Sequence, residues 1–284
     1  MKIAVLSDIH GNLPALQTVA HHIEQWHPDH VVVAGDFINR GPQSPACWQL
    51  IQTKAASQGW QIIKGNHEDY VISHQQPQPT TKALEELSRV SKWTYQQLNG
   101  AVNDLAALPD QISLADPNGD EVRVCHASMS HNRDGLYSHQ DEATLRQKIA
   151  PSPAVFITAH THMPFVRPVN GCLIVNAGSV GTPADGDGRA SYTQLTYTRH
   201  GWQATIIRLP YNYDQTKQDY YEHNLLTQVG PFSWLVYHEW LQATYLIPNW
   251  MNRYWPHVLA QTATVEQTVR AYLAEQNLPI PINN

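Results

Sequence analysis

The chain has 284 residues, 42% of them hydrophobic, enough to bury the core of one large domain with an appendage or of two modest domains. Its formal net charge of −6 comes from 18 basic and 24 acidic residues with no Lys/Arg run to track a phosphate backbone, which argues against nucleic acid as the main partner. No stretch approaches the roughly 20 apolar residues that cross a bilayer, and Asp8 interrupts the N-terminal run too early for a signal peptide, so a cytoplasmic enzyme without a membrane partner is expected.

Residues 2–6 form a short β-branched run that stops at a polar cluster. Residues 13–26 then show helical spacing through Leu13, Leu16, Val19, Ala20 and Ile23, which predicts a β-loop-α unit. The pattern returns with a strand at 30–34, a loop containing Pro42 and Pro45, a helical segment near 46–56 and a third strand at 62–64. A loop over 74–80 precedes two helices between about 80 and 108. Residues 111–114 and 121–125 flank the turn sequence DPNGD and read as a β-hairpin. Strands follow at 154–158 and 172–175, and two alternating runs between 192 and 209 form a closing hairpin.

Beyond Pro210 the character changes. Residues 211–284 hold four of the nine Trp and eight of the thirteen Tyr, with helical segments near 215–226, 231–246 and 265–275. The chain therefore divides into residues 1–209 and a helical extension, 210–284, whose aromatics pack on the first part or on a partner subunit in a homo-oligomer, with a substrate-facing cap as the alternative. Cys47, Cys125 and Cys172 are widely spaced and read as buried small hydrophobes rather than a disulfide or thiolate zinc set.

The polar residues that close the strands are Asp8 with His10, Asp36, Asn66 with His67, His126, and His160 with His162. In an extended backbone, Asp8-Ile9-His10 and His160-Thr161-His162 would each aim two ligands to one side. Imidazole, amide and carboxylate donors without sulfur suit Mn, Fe, Zn, Ni or Co, and so many donors exceed the needs of one ion. Two ions about 3.5–4 Å apart would use them, with the central lone carboxylate Asp36 as the bridge, and would suit in-line displacement at phosphorus.

The blocks DIH, GDFINRG, GNHE, CHAS and AHTH, at 8–10, 35–41, 65–68, 125–128 and 159–162, resemble in order those of the calcineurin-like metallophosphoesterases over roughly residues 1–205. The resemblance implies a four-layer αββα sandwich of the α/β class. It implies one metal held by Asp8, His10, Asp36 and His162 and a second by Asp36, Asn66, His126 and His160. His67 would contact the phosphate and protonate the leaving oxygen, and a metal-bridging hydroxide would be the nucleophile. Arg40 falls where the diadenosine-polyphosphate hydrolase and protein-phosphatase branch places a phosphate-binding arginine, a loop arginine in solvent being the alternative. Arg133, in a His- and Asn-containing loop after His126, is a weaker candidate for a distal group of the substrate.

NAGSVG at 176–181 resembles instead the Asn-Pro-Gly-Ser loop of the small bacterial phosphodiesterases, with Ala177 in place of Pro, and LPYNYDQTKQ at 209–218 resembles how that branch ends. Together the features imply a hydrolase of phosphodiester or phosphoanhydride bonds in small nucleotide-like substrates. A serine/threonine-type protein phosphatase and a non-catalytic metal-binding scaffold are the alternatives. Gly65 reads as the residue that permits a tight turn off the third strand. Glu68 reads as helix N-terminal charge or as a partner to a metal-ligating histidine.

Overall fold

A computed structural model describes residues 1–76 and 80–281. From the N-terminus, β1 (Lys2–Leu6), α1 (Leu13–Trp26), β2 (His30–Ala34), α2 (Ser44–Gln58), β3 (Gln61–Ile63) and α3 (Asn66–Ile72) alternate. Next come α4 (Lys82–Gln97), the single turn α5 (Asn103–Ala106), the hairpin β4 (Gln111–Ala115) and β5 (Glu121–Cys125), and α6 (Glu142–Ile149). β6 (Val155–Thr158), β7 (Phe165–Val169), β8 (Cys172–Asn176) and the long hairpin β9 (Ala190–Thr198) and β10 (Gly201–Leu209) complete the strands. The remainder is helical: α7 (Tyr213–Glu222), α8 (Leu225–Gln228), α9 (Phe232–Gln242), α10 (Ile247–Leu259) and α11 (Val265–Glu275).

Two mixed five-stranded sheets, ordered β10-β9-β1-β2-β3 and β4-β5-β6-β8-β7, face each other. The period of two along each strand divides its side chains between layers. Ile3, Val5, Val32 and Ala34 meet Val122, Val124, Val155, Ile157 and Val175 in the core between the sheets. Their neighbours Ala4, Leu6, Val31 and Val33 turn outward onto α1 and α2, while Phe156 and Ile174 turn outward onto α6. This is the expected four-layer sandwich. A fourth cluster gathers Tyr220, Trp234, Tyr237, Trp240 and Trp250 of the extension, and it takes in Val90 and Trp93 of α4 as well.

β1, β2 and β3 run parallel, as do β5, β6 and β8. The carboxyl ends of these strands therefore open into loops at one edge of the sandwich, where α/β sheets place their chemistry.

Several elements depart from expectation. β7 contains Pro168, which reads against a strand, yet β7 is the edge of its sheet, where a missing N–H donor is tolerated. α6 buries only Leu145 and Ile149, too little pattern to detect, and is started by the Asp141 side chain accepting the Thr144 N–H at 2.8 Å. The segment expected as one helix over 231–246 ends at Gln242, because Ala243 turns left-handed at φ 48°, and α10 follows. Of the expected loop at 74–80, residues 73–75 form a 3₁₀ turn and residues 77–79 lie outside the described residues. All three cysteines are free and buried. Among the described residues no helix is long and apolar enough to cross a membrane.

Candidate metal centre

The structure brings Asp8, His10, Asp36, Asn66, His67, His126, His160 and His162 to one edge of the sandwich, and all but His160 are buried there. They do not get there by the extended geometry expected. Asp8, His10, Asp36, His160 and His162 all have positive φ, between 48° and 65°. Each such non-glycine residue costs on the order of 1–2 kcal/mol, so the surrounding loops must hold it. They do so through backbone hydrogen bonds: the N–H groups of Asp8 and His10 donate to the carbonyls of Gly35 and Asp36, and Gly181 N–H donates to the Asp8 carbonyl. The Ser179 hydroxyl donates to the same Asp8 carbonyl at 2.7 Å, which gives the NAGSVG loop a clamping role.

Gly65 works differently from the expectation. Its backbone is extended, with φ −108° and ψ −171°, so no left-handed turn requires glycine. A Cβ there would lie 2.1 Å from Asp36 Oδ1, and close approach of two chains is what excludes a side chain.

Glu68 has no exposure and grips four backbone N–H groups. Its Oε2 accepts from Asp36 at 2.8 Å and Gly65 at 2.7 Å, and its Oε1 accepts from Phe37 at 3.0 Å and Ile38 at 3.2 Å. The bond to Gly65 caps the start of α3 from its third residue, in keeping with the expected charge at a helix N-terminus; the other three reach across to the loop after β2. Burial and the charge of Asp36 push its carboxyl up to about 8, against the pull of the N–H donors. Both oxygens accept, so the four N–H donors favour the ionised form while burial beside Asp36 favours the protonated one.

Two sets of lone pairs converge around Asp36. The His126 Nδ1–H donates to the Ala34 carbonyl at 2.9 Å, which leaves Nε2 unprotonated in the neutral ring, 3.0 Å from Asn66 Oδ1 and 3.2 Å from Asp36 Oδ2. The His162 Nδ1–H donates to the Thr182 carbonyl at 2.5 Å, which leaves Nε2 3.3 Å from both Asp8 Oδ1 and His10 Nε2. Histidines anchored through one nitrogen and aimed with the other are arranged as metal ligands are. Among the described residues Asp8 Oδ1 has no hydrogen-bond partner; it is buried 3.3 Å from His162 Nε2 and 3.8 Å from His10 Nε2, and acceptors facing acceptors suit a cation between them. The groupings Asp8, His10, His162 and Asp36, His126, His160, linked by a third of His10, Asp36 and His67, each bring one ligand atom per residue within 4.8 Å of the others. The residues present therefore fit metal ions, and Asp36 and His10 lie between the two groups.

Electrostatics agree with this. Burial, then the neighbouring His67, holds the His10 imidazole well below its ordinary value, and burial does the same to His67. Burial followed by His126 brings His160 down to about 4, so these rings are neutral ligands or donors at pH 7. Burial opposes a charge on His126 too, but Asp36 beside it prevails and pushes that imidazole up to about 10. Despite its burial, Asp36 is held well below the usual carboxylate range, chiefly by His126 and His67.

His67 lies within the same cluster, its ring centroid 4.7 Å from that of His10, and differs from the other histidines in its hydrogen-bond partner. Asn39 Nδ2 donates to its Nδ1 at 2.8 Å, and the amide is oriented by Arg40 N–H donating to Asn39 Oδ1 at 2.9 Å. The neutral ring then carries its proton on Nε2. Asn39 was not singled out from the sequence, although it lies inside GDFINRG; nothing local signals that its amide reaches a residue 28 positions away. Arg40 is partly buried and paired with Glu239 at 3.2 Å. Arg133 is exposed and stacks 4.6 Å over the Tyr70 ring, whose centroid lies 5.2 Å from that of His67.

Two outcomes follow from this geometry. Replacing Glu68 by Gln turns an amide N–H₂ toward two of the four backbone donors, which is expected to cost about 2–4 kcal/mol. Urea unfolding reads this as a lower midpoint at unchanged slope, and a wild-type midpoint would show that the carboxylate does not hold the Asp36 loop. Second, because Asp36 keeps the His126 ring charged at pH 7 in the metal-free protein, with a second proton on Nε2, a cation must displace that proton. Affinity for Mn²⁺ should rise about tenfold per pH unit above pH 7 until the pH nears 10, with proton release seen calorimetrically in buffers of different ionisation enthalpy. A flat profile would remove His126 from the ligand set.

Comparison with known proteins gives this geometry its context. The sequence profile of the calcineurin-like phosphoesterase superfamily domain matches residues 1–200. An uncharacterized protein of Methanocaldococcus jannaschii is 26% identical over 248 residues, which span 80% of this chain and 95% of the relative. Among solved structures, a hypothetical protein from Pyrococcus horikoshii OT3 superposes with a TM-score of 0.69 at 17% identity, covering 80% of this chain and 95% of its own. A metallophosphoesterase from Sphaerobacter thermophilus gives 0.65 at 24% identity, covering 86% and 99%. The αββα sandwich and the profile match over most of the chain lead to one conclusion: this protein belongs to the calcineurin-like phosphoesterase superfamily, and its class of chemistry is phosphoric ester hydrolysis.

Proposed function

We propose that the chain hydrolyses phosphodiester or phosphoanhydride bonds of small, nucleotide-like substrates with the help of two metal ions. Asp8, His10, Asp36 and His162 would hold one, and Asp36, Asn66, His126 and His160 the other. The observation that carries this reading is the pair of converging lone-pair sets around Asp36, with the hydrogen-bond donor His67 beside them. When bound, two such ions supply a water acidified to near-neutral pH and positive charge for the phosphoryl oxygens. The donor set, oxygen and nitrogen without sulfur, suits Mn, Fe, Zn, Ni or Co.

The chain's own side chains supply the rest. His67, with its proton on Nε2, donates to a phosphoryl or leaving oxygen, and its depressed pKa makes it a ready proton source once charged. The Arg40 guanidinium, whose root is tied through Asn39 to His67 and whose charge acts on His10 and His67, would meet a phosphoryl group. Arg133 over Tyr70 offers a flat cationic shelf at the rim, which suits the base or distal phosphate of a nucleotide. The Tyr245 hydroxyl donates to the Thr161 carbonyl, so the extension stands against the His160–His162 segment and narrows the approach for a folded protein substrate. Among the described residues of the extension only Leu241 and Leu259 are strongly exposed large hydrophobics, scant apolar surface for a stable partner interface.

The direct assay supplies Mn²⁺ and measures release of p-nitrophenol from bis(p-nitrophenyl) phosphate and from the monoester. Turnover of the diester in excess of the monoester is expected; metal shown to be bound with neither substrate hydrolysed would end this reading. In His67→Ala both metals should remain, by elemental analysis, while kcat falls about 10²–10⁴-fold. Loss of metal from that variant would make His67 a ligand instead.

A further inference from the structure

The extension reaches the centre through one buried carboxylate. Glu239, on α9, has a side chain only 8% exposed and divides its two oxygens between two tasks. Oε1 accepts the backbone N–H groups of Leu246 and Ile247 at 2.8 and 2.7 Å, which pins the turn between α9 and α10. Oε2 accepts from Arg40 Nη1 at 3.2 Å, across 199 residues of sequence.

Arg40 is thus held at both ends. Its backbone and that of Asn39 are both left-handed, at φ 66° and 67°, an arrangement of two successive non-glycine residues that persists only where neighbours impose it. Its root is tied by the Asn39 amide to His67, and its tip by Glu239. Among the described residues only the Nη1 arm of the guanidinium has a side-chain partner, so the other arms of the fork stay open for a bidentate contact. Its charge reaches His10 and His67, whose imidazoles it helps to hold neutral. Without a tether, an arginine side chain loses rotamer freedom on taking up one geometry. With Glu239 present, that ordering is already in place before substrate arrives.

We propose that Glu239 is a positioning residue for Arg40: the extension, through this single carboxylate, sets the guanidinium where it meets the phosphoryl group of the substrate. The proposal rests on the reading of Arg40 as a phosphate contact. It makes residues 210–284 a part of the substrate site and not only a packed appendage.

The test is a double-mutant cycle on the full-length, Mn²⁺-loaded protein, with the affinity for inorganic phosphate measured by calorimetry. Glu239→Gln is nearly isosteric: its Oε1 can still accept from Leu246 and Ile247, while its N–H₂ faces the guanidinium and releases it. Arg40→Met should weaken phosphate binding about 10–30-fold and Glu239→Gln about 5–10-fold, and the double variant should bind no more weakly than Arg40→Met alone. Fold-changes that multiply in the double variant would mean that Glu239 acts on the fold and not on Arg40, and would overturn the proposal. Wild-type affinity in either single variant would overturn it too. If Glu239→Gln folds poorly, Glu239→Asp, which keeps the charge but withdraws the carboxylate, takes its place in the cycle with the same expectations. Turnover of the diester by the unaltered protein judges the functional reading separately, since the phosphate cycle needs no catalysis.

Discussion

Everything at this edge of the sandwich depends on how the chain after β2 is held against the chain after β3, and a buried carboxylate does the holding. Glu68 takes the N–H groups of Asp36, Phe37 and Ile38 as well as that of Gly65, so one side chain joins two loops that would otherwise expose four backbone donors to an apolar interior. The consequence is positional. Asp36 is placed where its two oxygens face different partners, the His67 N–H on one side and His126 on the other. Gly65 allows the approach by having no side chain to lie in the path of Asp36 Oδ1.

Around that joint the protein accepts local strain in order to gather lone pairs. Five of the ligand candidates sit in left-handed backbone, and His162 Nε2 faces Asp8 Oδ1 and His10 Nε2 across 3.3 Å. Neither feature would persist in an ordinary polar surface; both are what a site for cations requires. Anchors on the far nitrogens of His126 and His162, the Ala34 and Thr182 carbonyls, orient the rings from behind. His67 receives an amide donor in the corresponding place, and that single change of hydrogen-bond partner puts the proton of the neutral ring on Nε2. The aromatic cluster that includes Trp234, Trp240 and Trp250 supports this arrangement from outside. It packs α4 together with the helices of the extension, which carry Glu239 and Tyr245 to the rim.

How much of this could be read beforehand differs by feature. The β-branched run of β1, the three successive valines of β2, the helical spacing of α1 and the DPNGD turn carry their structure locally, and they were legible as such. β7 was not, because Pro168 is acceptable only at a sheet edge, and which strand is an edge is a property of the assembled sheet. The loop residues that close the strands were legible as a group, since so many imidazole and carboxylate side chains at strand ends have few structural uses. The means of their convergence was not, because extended backbone and left-handed backbone can place alternate residues on one side equally well.

The sequence by itself determined the kinds of atom available: oxygen and nitrogen donors at the ends of buried strands, in an order shared with one superfamily, and an aromatic tail with too many large rings to remain in solvent. Only the tertiary structure decided the partners. That Glu68 would serve the loop of Asp36, that Asn39 would set the proton on His67, and that Glu239 would meet Arg40 all depend on contacts across 28 to 199 positions. Hydrogen bonds are short-ranged and directional, and no local pattern encodes them. They exist because two sheets and an added helical layer close around the same few ångströms.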